Sequence, residues 1–480
     1  MDHREHDDEA DQRDVVPARP SYASLPAEVL VLIFALVPAD QLPRLALVCS
    51  SFRAALRTPE LWARLDLRAA SGVARVVTDA TFGVFAARFA ERAGERLAAL
   101  DLSGCYNVTR DALVAAVAAN PGVELSLLHE RALSCAAVTE LRRAAGPNLG
   151  LWRVNLDCPG TAEACDVLRT CAVARLRVTF VTRGPDADSL TALLAAVAAG
   201  GVSQLLLLNA NLSSHGAFDA LVDGVILHRL PYLALRGCTL PDDGAAALER
   251  LLRDGASLRE LDLQGSTPLF NAEYSECPLA RGLAANTSLR VLSLRNCALW
   301  DTGEDRTRRR TDATLALLAA LASHPSLCKL NLGSNMVWLI PVRNAATEAV
   351  DAVVGAAFAA LLRTPALLEL DMSGCQLRPG VLAPLFAALH GATTLRVLHC
   401  GDTAGLQVLS EEFVRETLAP AVATNQGLRY LFVGDSAHNV ELEVAHREAR
   451  RLGAGDAEET NRLLDEATRA VAARRGQYDF

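Results

Sequence analysis

Twelve cysteines and ten histidines are the residues of this 480-residue chain best suited to hold a metal or attack a carbonyl carbon. Either task needs its donors grouped. Zinc sites are written as close Cys or His pairs, and a thiol nucleophile needs a histidine base nearby. Neither grouping can be read here: there is no CxxC, no HExxH, no GxSxG elbow and no GxxxxGK(S/T) phosphate loop. His228, His324, His390 and His399 are scattered and read as surface or packing residues. The sequence therefore predicts no catalytic centre, no metal and no cofactor. The chain is expected to act by binding.

Two groups of residues suit that task. Trp300 and Trp338 are large aromatics in stretches expected to be loops, where such side chains often anchor interfaces. Arg306, Arg308, Arg309 and Arg310 could read an acidic or phosphorylated segment through paired guanidinium hydrogen bonds, although a solvated charge run is the plainer account. These six stand in "ALWDTGEDRTRRRTD" (298–312) and "MVWLIPVRNAATEAV" (336–350), which together with 266–278 interrupt an otherwise regular period. All three interruptions should leave one edge of a repeat array, the usual place for binding loops.

The period comes from copies of LxxLxLxx(N/C). The clearest are "LAALDLSGC" (97–105), "LPYLALRGC" (230–238), "LRVLSLRNC" (289–297), "LCKLNLGSN" (327–335) and "LLELDMSGC" (367–375). Weaker copies begin near Val123, Leu149, Val173, Val202, Leu258, Leu395 and Leu428, giving about twelve units. Alternating apolar and polar residues suit a half-buried strand, and the ninth residue turns inward to satisfy backbone groups of adjacent turns. Cys105, Cys238, Cys297 and Cys375 hold that place and are read as structural. Ala- and Leu-rich helices such as "AAALERLLRDG" lie between the strands, with small residues that allow close stacking. One strand and one full helix per unit resembles the ribonuclease-inhibitor-like class of leucine-rich repeats, an α/β horseshoe with a parallel sheet inside and helices outside. Arg153, Arg175, Arg177, Arg236 and Arg295 should project from the inner face, with Glu260, Asp262, Glu369 and Asp371 farther along, a mixture that suits a polar protein partner.

A net charge of −9 without a concentrated basic face argues against a general nucleic-acid binder. Residues 1–20 are acidic and polar and read as a disordered lead. The apolar run Val29 to Val37 ends at Pro38, far short of the roughly 20 residues a bilayer requires, so no membrane is expected. Cysteine usage and the absence of a targeting segment suit reduced thiols in the cytoplasm or nucleus. Lys329 is the only lysine. A nucleotide bias toward arginine codons is the plain account of that scarcity.

A helix apolar on every side must be covered on every side, which leaves the Val29–Val37 run in search of a cover. Leu25-Pro26, Glu28-Val29-Leu30, Ile33-Phe34, Val37, Leu42, Leu45, Val48-Cys49, Phe52-Arg53 and Leu61-Trp62 stand in order and at the spacing of an F-box. With the repeats that follow, the chain resembles F-box proteins of the leucine-rich-repeat type. The resemblance departs at Gln41-Leu42, where the family commonly has Asp-Leu, the acid here standing one residue earlier at Asp40.

The resemblance implies the non-catalytic substrate-recognition subunit of a cullin-RING ubiquitin ligase. Leu25, Pro26, Leu30, Ile33, Phe34, Leu42, Leu45, Val48, Phe52, Leu61 and Trp62 would dock a Skp-type adaptor carried by a cullin scaffold, and the repeats would hold an unknown protein substrate. A receptor beside an active conjugating enzyme would also modify itself less if it offered few lysines. The alternatives are a repeat scaffold, inhibitor or GTPase regulator without a ligase, the apolar run then only plugging the first repeat. The expected organisation is an acidic lead (1–20), an F-box (21–68), a linker or cap (69–96), the repeat array (97–436) and C-terminal capping helices (437–480), with Leu463, Leu464, Ala467, Ala470 and Val471 on one face of the last.

Overall fold

The computed structural model describes residues 25–34, 37, 42–67, 77–94, 97–127, 133–145, 150–158, 161–180, 185–267, 277–299, 307–335, 345–400, 425–433 and 440–443, single positions apart. The first helix, α1 (Ala27–Phe34), starts at Pro26, whose carbonyl accepts the N–H groups of Val29 and Leu30 at 3.1 Å each. Leu30 and Phe34 lie four apart on one helical face, and both are buried. The pattern from Gln41 to Leu56 predicts one helix, but the chain forms two, α2 (Leu42–Leu45) and α3 (Ser50–Ala55). Between them Cys49 is extended (φ −159°, ψ 173°), and its Sγ accepts the Phe52 N–H at 3.5 Å, starting a new helix. The short polar run Cys49-Ser50-Ser51 favours such a cap over a helix interior. Asp40 lies outside the described residues.

A 3-10 turn at Pro59–Leu61 then leads into the first of a long series of strands. These are β1 (Arg64–Asp66), β2 (Ala99–Asp101), β3 (Glu124–Leu127), β4 (Leu133–Ser134), β5 (Gly150–Cys158), β6 (Ala172–Phe180), β7 (Gln204–Leu208), β8 (Tyr232–Arg236), β9 (Glu260–Asp262), β10 (Val291–Ser293), β11 (Lys329–Asn331), β12 (Glu369–Asp371), β13 (Val397–His399), β14 (Tyr430–Val433) and β15 (Val440–Glu443). They form one 15-stranded sheet in chain order, except that β4 sits beside the main path on β5. Pairing is parallel up to β14, as helical crossovers require. A row of register partners, Leu176, Leu205, Leu233, Leu261, Leu292, Leu330, Leu370, Leu398 and Leu431, runs across nine strands with every member buried.

The sheet extends beyond both ends of the expected repeat array. The sheet does not begin at 97: Leu65 of β1 is the register partner of Leu100, and the helix α4 (Asp79–Arg92) takes up half of the stretch expected to be a linker or cap. The cause lies in "LWARLDL", whose Leu65 and Leu67 alternate with polar residues and are buried as repeat leucines are. At the other end, the described part of 437–480 is a strand, β15, which pairs antiparallel with β14 and closes the sheet edge. The remaining expected capping residues, Leu463 to Val471 among them, lie outside the described residues.

Between turns, the ninth repeat residue does what its type allows. Sγ of Cys105, Cys297 and Cys375 donates to the carbonyl oxygens of Leu67, Leu263 and Leu332 at 3.1, 2.9 and 3.0 Å, each one turn back. Asn335 does the same through Nδ2 to Leu294 at 2.7 Å, while its Oδ1 accepts the Cys297 N–H at 2.9 Å. The Leu263 and Leu332 carbonyls each accept a second donor, the Ser266 N–H at 2.9 Å and the Asn335 Nδ2 at 2.7 Å, and a buried carbonyl left without any donor costs about 1–3 kcal/mol. Outside the sheet, helices bury residues three and four apart, such as Leu248, Leu251 and Leu252 of Gly244–Asp254. Gly282 lets the next helix approach: a Cβ there would lie 3.0 Å from the Glu249 Cα.

Candidate functional site

The eleven residues expected to dock an adaptor divide by burial. Leu30, Phe34, Leu42, Leu61 and Trp62 are buried in the chain's own core. In the chain by itself these five hold the bundle together and join it to the first repeat. Leu25, Leu45 and Phe52 are half-buried, and Phe52 meets Phe34 edge-on, with ring centroids 5.0 Å apart. Pro26, Ile33 and Val48 are exposed. Three further exposed apolar residues, Val29, Leu32 and Leu47, were not among the expected docking residues. Leu32, Leu47 and Val48 are 70%, 80% and 63% exposed. A signal for Val29 and Leu32 existed, since a single-sided helix cannot bury the nine consecutive apolar residues Val29 to Val37.

The bundle is fastened to the solenoid through Trp62. Its indole N–H donates to the Leu56 carbonyl at 2.7 Å, its ring meets Phe89 of α4 edge-on, and the Arg92 guanidinium lies 4.2 Å from the ring centroid. Aromatic edge contact and cation–π attraction each contribute on the order of 0.5–1.5 kcal/mol beyond area burial. The bundle is thus held on the first turn of the sheet.

On the inner face, most charges of the later strands are paired. Arg236 meets Asp262 at 2.7 Å, Lys329 meets Glu369 at 2.9 Å, and Arg295 reaches Asp371 at 3.6 Å. Arg295 skips a strand to do so, passing Gly333, where a Cβ would come within 3.0 Å of its Nη1. The stretch of weaker repeats at 123–201 contains the long strands β5 and β6. They are regular turns of the same sheet, widened to nine residues and preceded by a register shift between Leu125 and Ser126.

Trp300, Arg306 and Trp338 lie outside the described residues. Arg308, Arg309 and Arg310 fall in the first turns of the helix Thr307–Ala322, so their expected place on a loop is corrected. The helix Ala345–Leu361 likewise takes up the end of the stretch expected to loop at 336–350. Both sequences are rich in Ala, Leu and Arg or Val, and propagate helix readily once begun.

The repeat cysteines are inert as nucleophiles. Burial pushes Cys105, Cys297 and Cys375 up to about 12 and Cys238 up to about 11, against a usual thiol value of 9.0. His324 is fully buried, its Nδ1 accepting the Ser326 N–H at 3.4 Å, and His390 is exposed. Among the described residues, no helix is long and apolar enough to cross a membrane.

Residues 22–68 match the F-box-like family. The chain is 48% identical over 58 residues to F-box only protein 31 of Rattus norvegicus and of Mus musculus. It is 49% identical over 57 residues to F-box only protein 31-A of Xenopus laevis. Each match covers 12% of this chain and 11% of the relative, so the chain spans about a tenth of the length of the curated relatives it matches. A solved TLR13–ssRNA13 complex superimposes over 72% of this chain and 59% of that chain, at 12% identity and a TM-score of 0.25. Residues 22–68 are an F-box-like domain, and their last strand opens a parallel solenoid of the leucine-rich-repeat type.

Proposed function

We propose that this protein is a substrate receptor of a cullin-RING ubiquitin ligase. Its F-box-like bundle docks a Skp-type adaptor linked to a cullin, and its solenoid holds a protein substrate. The observation that carries the reading is the exposure of Val29, Leu32, Ile33, Leu47 and Val48 within the F-box-like stretch. Apolar side chains of this size contribute about 1.5–3 kcal/mol each when covered. The cost of association, about 4–15 kcal/mol, requires most of them to act together. The work done is positional. A substrate lysine is kept near the charged conjugating enzyme at high effective concentration, and the chain itself makes and breaks no bond. The free thiols of the described cysteines suit a reducing compartment, cytoplasm or nucleus.

Co-purification with a Skp-type adaptor and cullin tests the reading. Leu32→Glu and Leu47→Glu should each weaken adaptor capture at least tenfold while leaving the melting temperature unchanged, because both side chains are already solvated. Failure of the wild-type chain to capture the adaptor would leave a repeat scaffold without a ligase, and undiminished capture by the double variant would take the docking surface away from Leu32 and Leu47.

A further inference from the structure

Resting on the reading of the solenoid as the cargo-binding part, we propose that Tyr232, Glu260 and Val291 form a subsite on the inner face that takes an arginine side chain of a protein substrate. The three are register partners on the neighbouring strands β8, β9 and β10, so their Cα atoms follow one another at about 4.8 Å. Each alternates with a core leucine, Leu233, Leu261 or Leu292, and therefore stands on the open face. All three are half-buried. Glu260 is also the exception to the charge pairing of the later strands. Asp262 is held by Arg236, Glu369 by Lys329 and Asp371 by Arg295, but among the described residues Glu260 enters no ion pair and no side-chain hydrogen bond.

A half-buried carboxylate between an aromatic ring and an aliphatic side chain suits a guanidinium group. The flat face of the guanidinium can lie on the Tyr232 ring, its stem can cover Val291, and its paired N–H groups can donate to both Glu260 oxygens. Arg259, next to Glu260 in the chain, donates instead to the Ser288 carbonyl at 3.1 Å. Arg175 stands three strands away in the same row, about 14 Å from Glu260, where salt screens most of its repulsion. The net charge of −9 draws a cationic segment toward the chain, and the one unpaired carboxylate of these strands fixes where its arginine seats.

The test uses the full chain and a fluorescein-labelled peptide of alternating Arg and Ser, followed by fluorescence anisotropy at physiological salt. The wild type should bind it, and E260Q should bind about tenfold more weakly or worse, the effect of losing one charge-assisted pair. Y232L, which keeps an apolar side chain but loses the ring, should weaken binding about threefold. E163Q, which removes the same charge from an exposed place on the outer helix Thr161–Thr170, should bind as the wild type does. Circular dichroism and adaptor capture, both unchanged in E260Q, report that the variant is folded. Undetectable binding by the wild type or equal binding by E260Q overturns the proposal. So does an equal loss in E163Q, which would leave only diffuse attraction to a negative chain. Failure of the wild type to capture the adaptor with peptide binding intact would strike the ligase reading alone.

Discussion

The Trp62 indole stands edge-on to Phe89, with ring centroids 5.0 Å apart and planes inclined at 69°. One residue closes the F-box-like bundle, the other belongs to the first helix of the solenoid. Whatever seats on the bundle is therefore held in a set geometry to the first turn of the sheet. Both rings are buried in one continuous core.

Trp62→Ala should accordingly lower the stability of the whole chain by about 3–5 kcal/mol, as large cavities do. Trp62→Phe keeps much of the ring but leaves the Leu56 carbonyl without its indole donor, and should cost about 1–3 kcal/mol. Denaturant unfolding followed by circular dichroism reads both. A loss confined to adaptor binding would mean that the ring does not couple the two parts.

Alkali should weaken the fold before it reaches the arginines. Burial raises the thiols of Cys105, Cys297 and Cys375 to about 12, while in the unfolded chain they ionise near 9.0. The native state thus keeps protons that the unfolded state releases, and the stability this contributes is complete below pH 9 and lost as pH rises toward 12. Unfolding free energy measured from pH 8 to pH 10 should fall, and Cys297→Ala should flatten the fall.

His324 gives the opposite slope. Burial lowers its pKa below the usual 6.5, so the unfolded chain takes a proton that the native one refuses, and stability present above pH 6.5 declines as pH falls through the lower native value. Its Nε2 has no hydrogen-bond partner among the described residues. At the matching place one repeat earlier, Asn286 donates to the Leu252 carbonyl at 2.6 Å and accepts from Ser288 and Leu289. His324→Asn should therefore raise stability by about 0.5–1.5 kcal/mol at neutral pH and reduce the acid slope. Paired melts at pH 5 and pH 7.5 would show it.

Lys329, the single lysine, lies on the inner face in an ion pair with Glu369. In a reconstituted ligase, Lys329→Arg combined with a blocked amino terminus should abolish self-ubiquitination. Lysine-linked conjugates on that variant would refute the role given to lysine scarcity.

The repeat pattern was legible because each leucine-rich unit encodes its own strand, turn and helix within a few residues. The spacing of Leu97, Leu100, Leu102 and Cys105 specifies a strand and its inward-turning end without reference to anything distant. The F-box motif was legible for the same reason. The burial of its residues was not, because that depends on Phe89 and Arg92, which are far along the chain and carry no pattern tying them to Trp62. Only the folded sheet decided that β1 belongs to the solenoid, that Arg295 crosses a strand to Asp371 and that a register shift after Leu125 separates β3 from the long strand β5. Composition and period are local quantities that a sequence states directly. Which side chains share a face, and which apolar ones stay wet, follows from contacts between segments that meet only when the whole array closes.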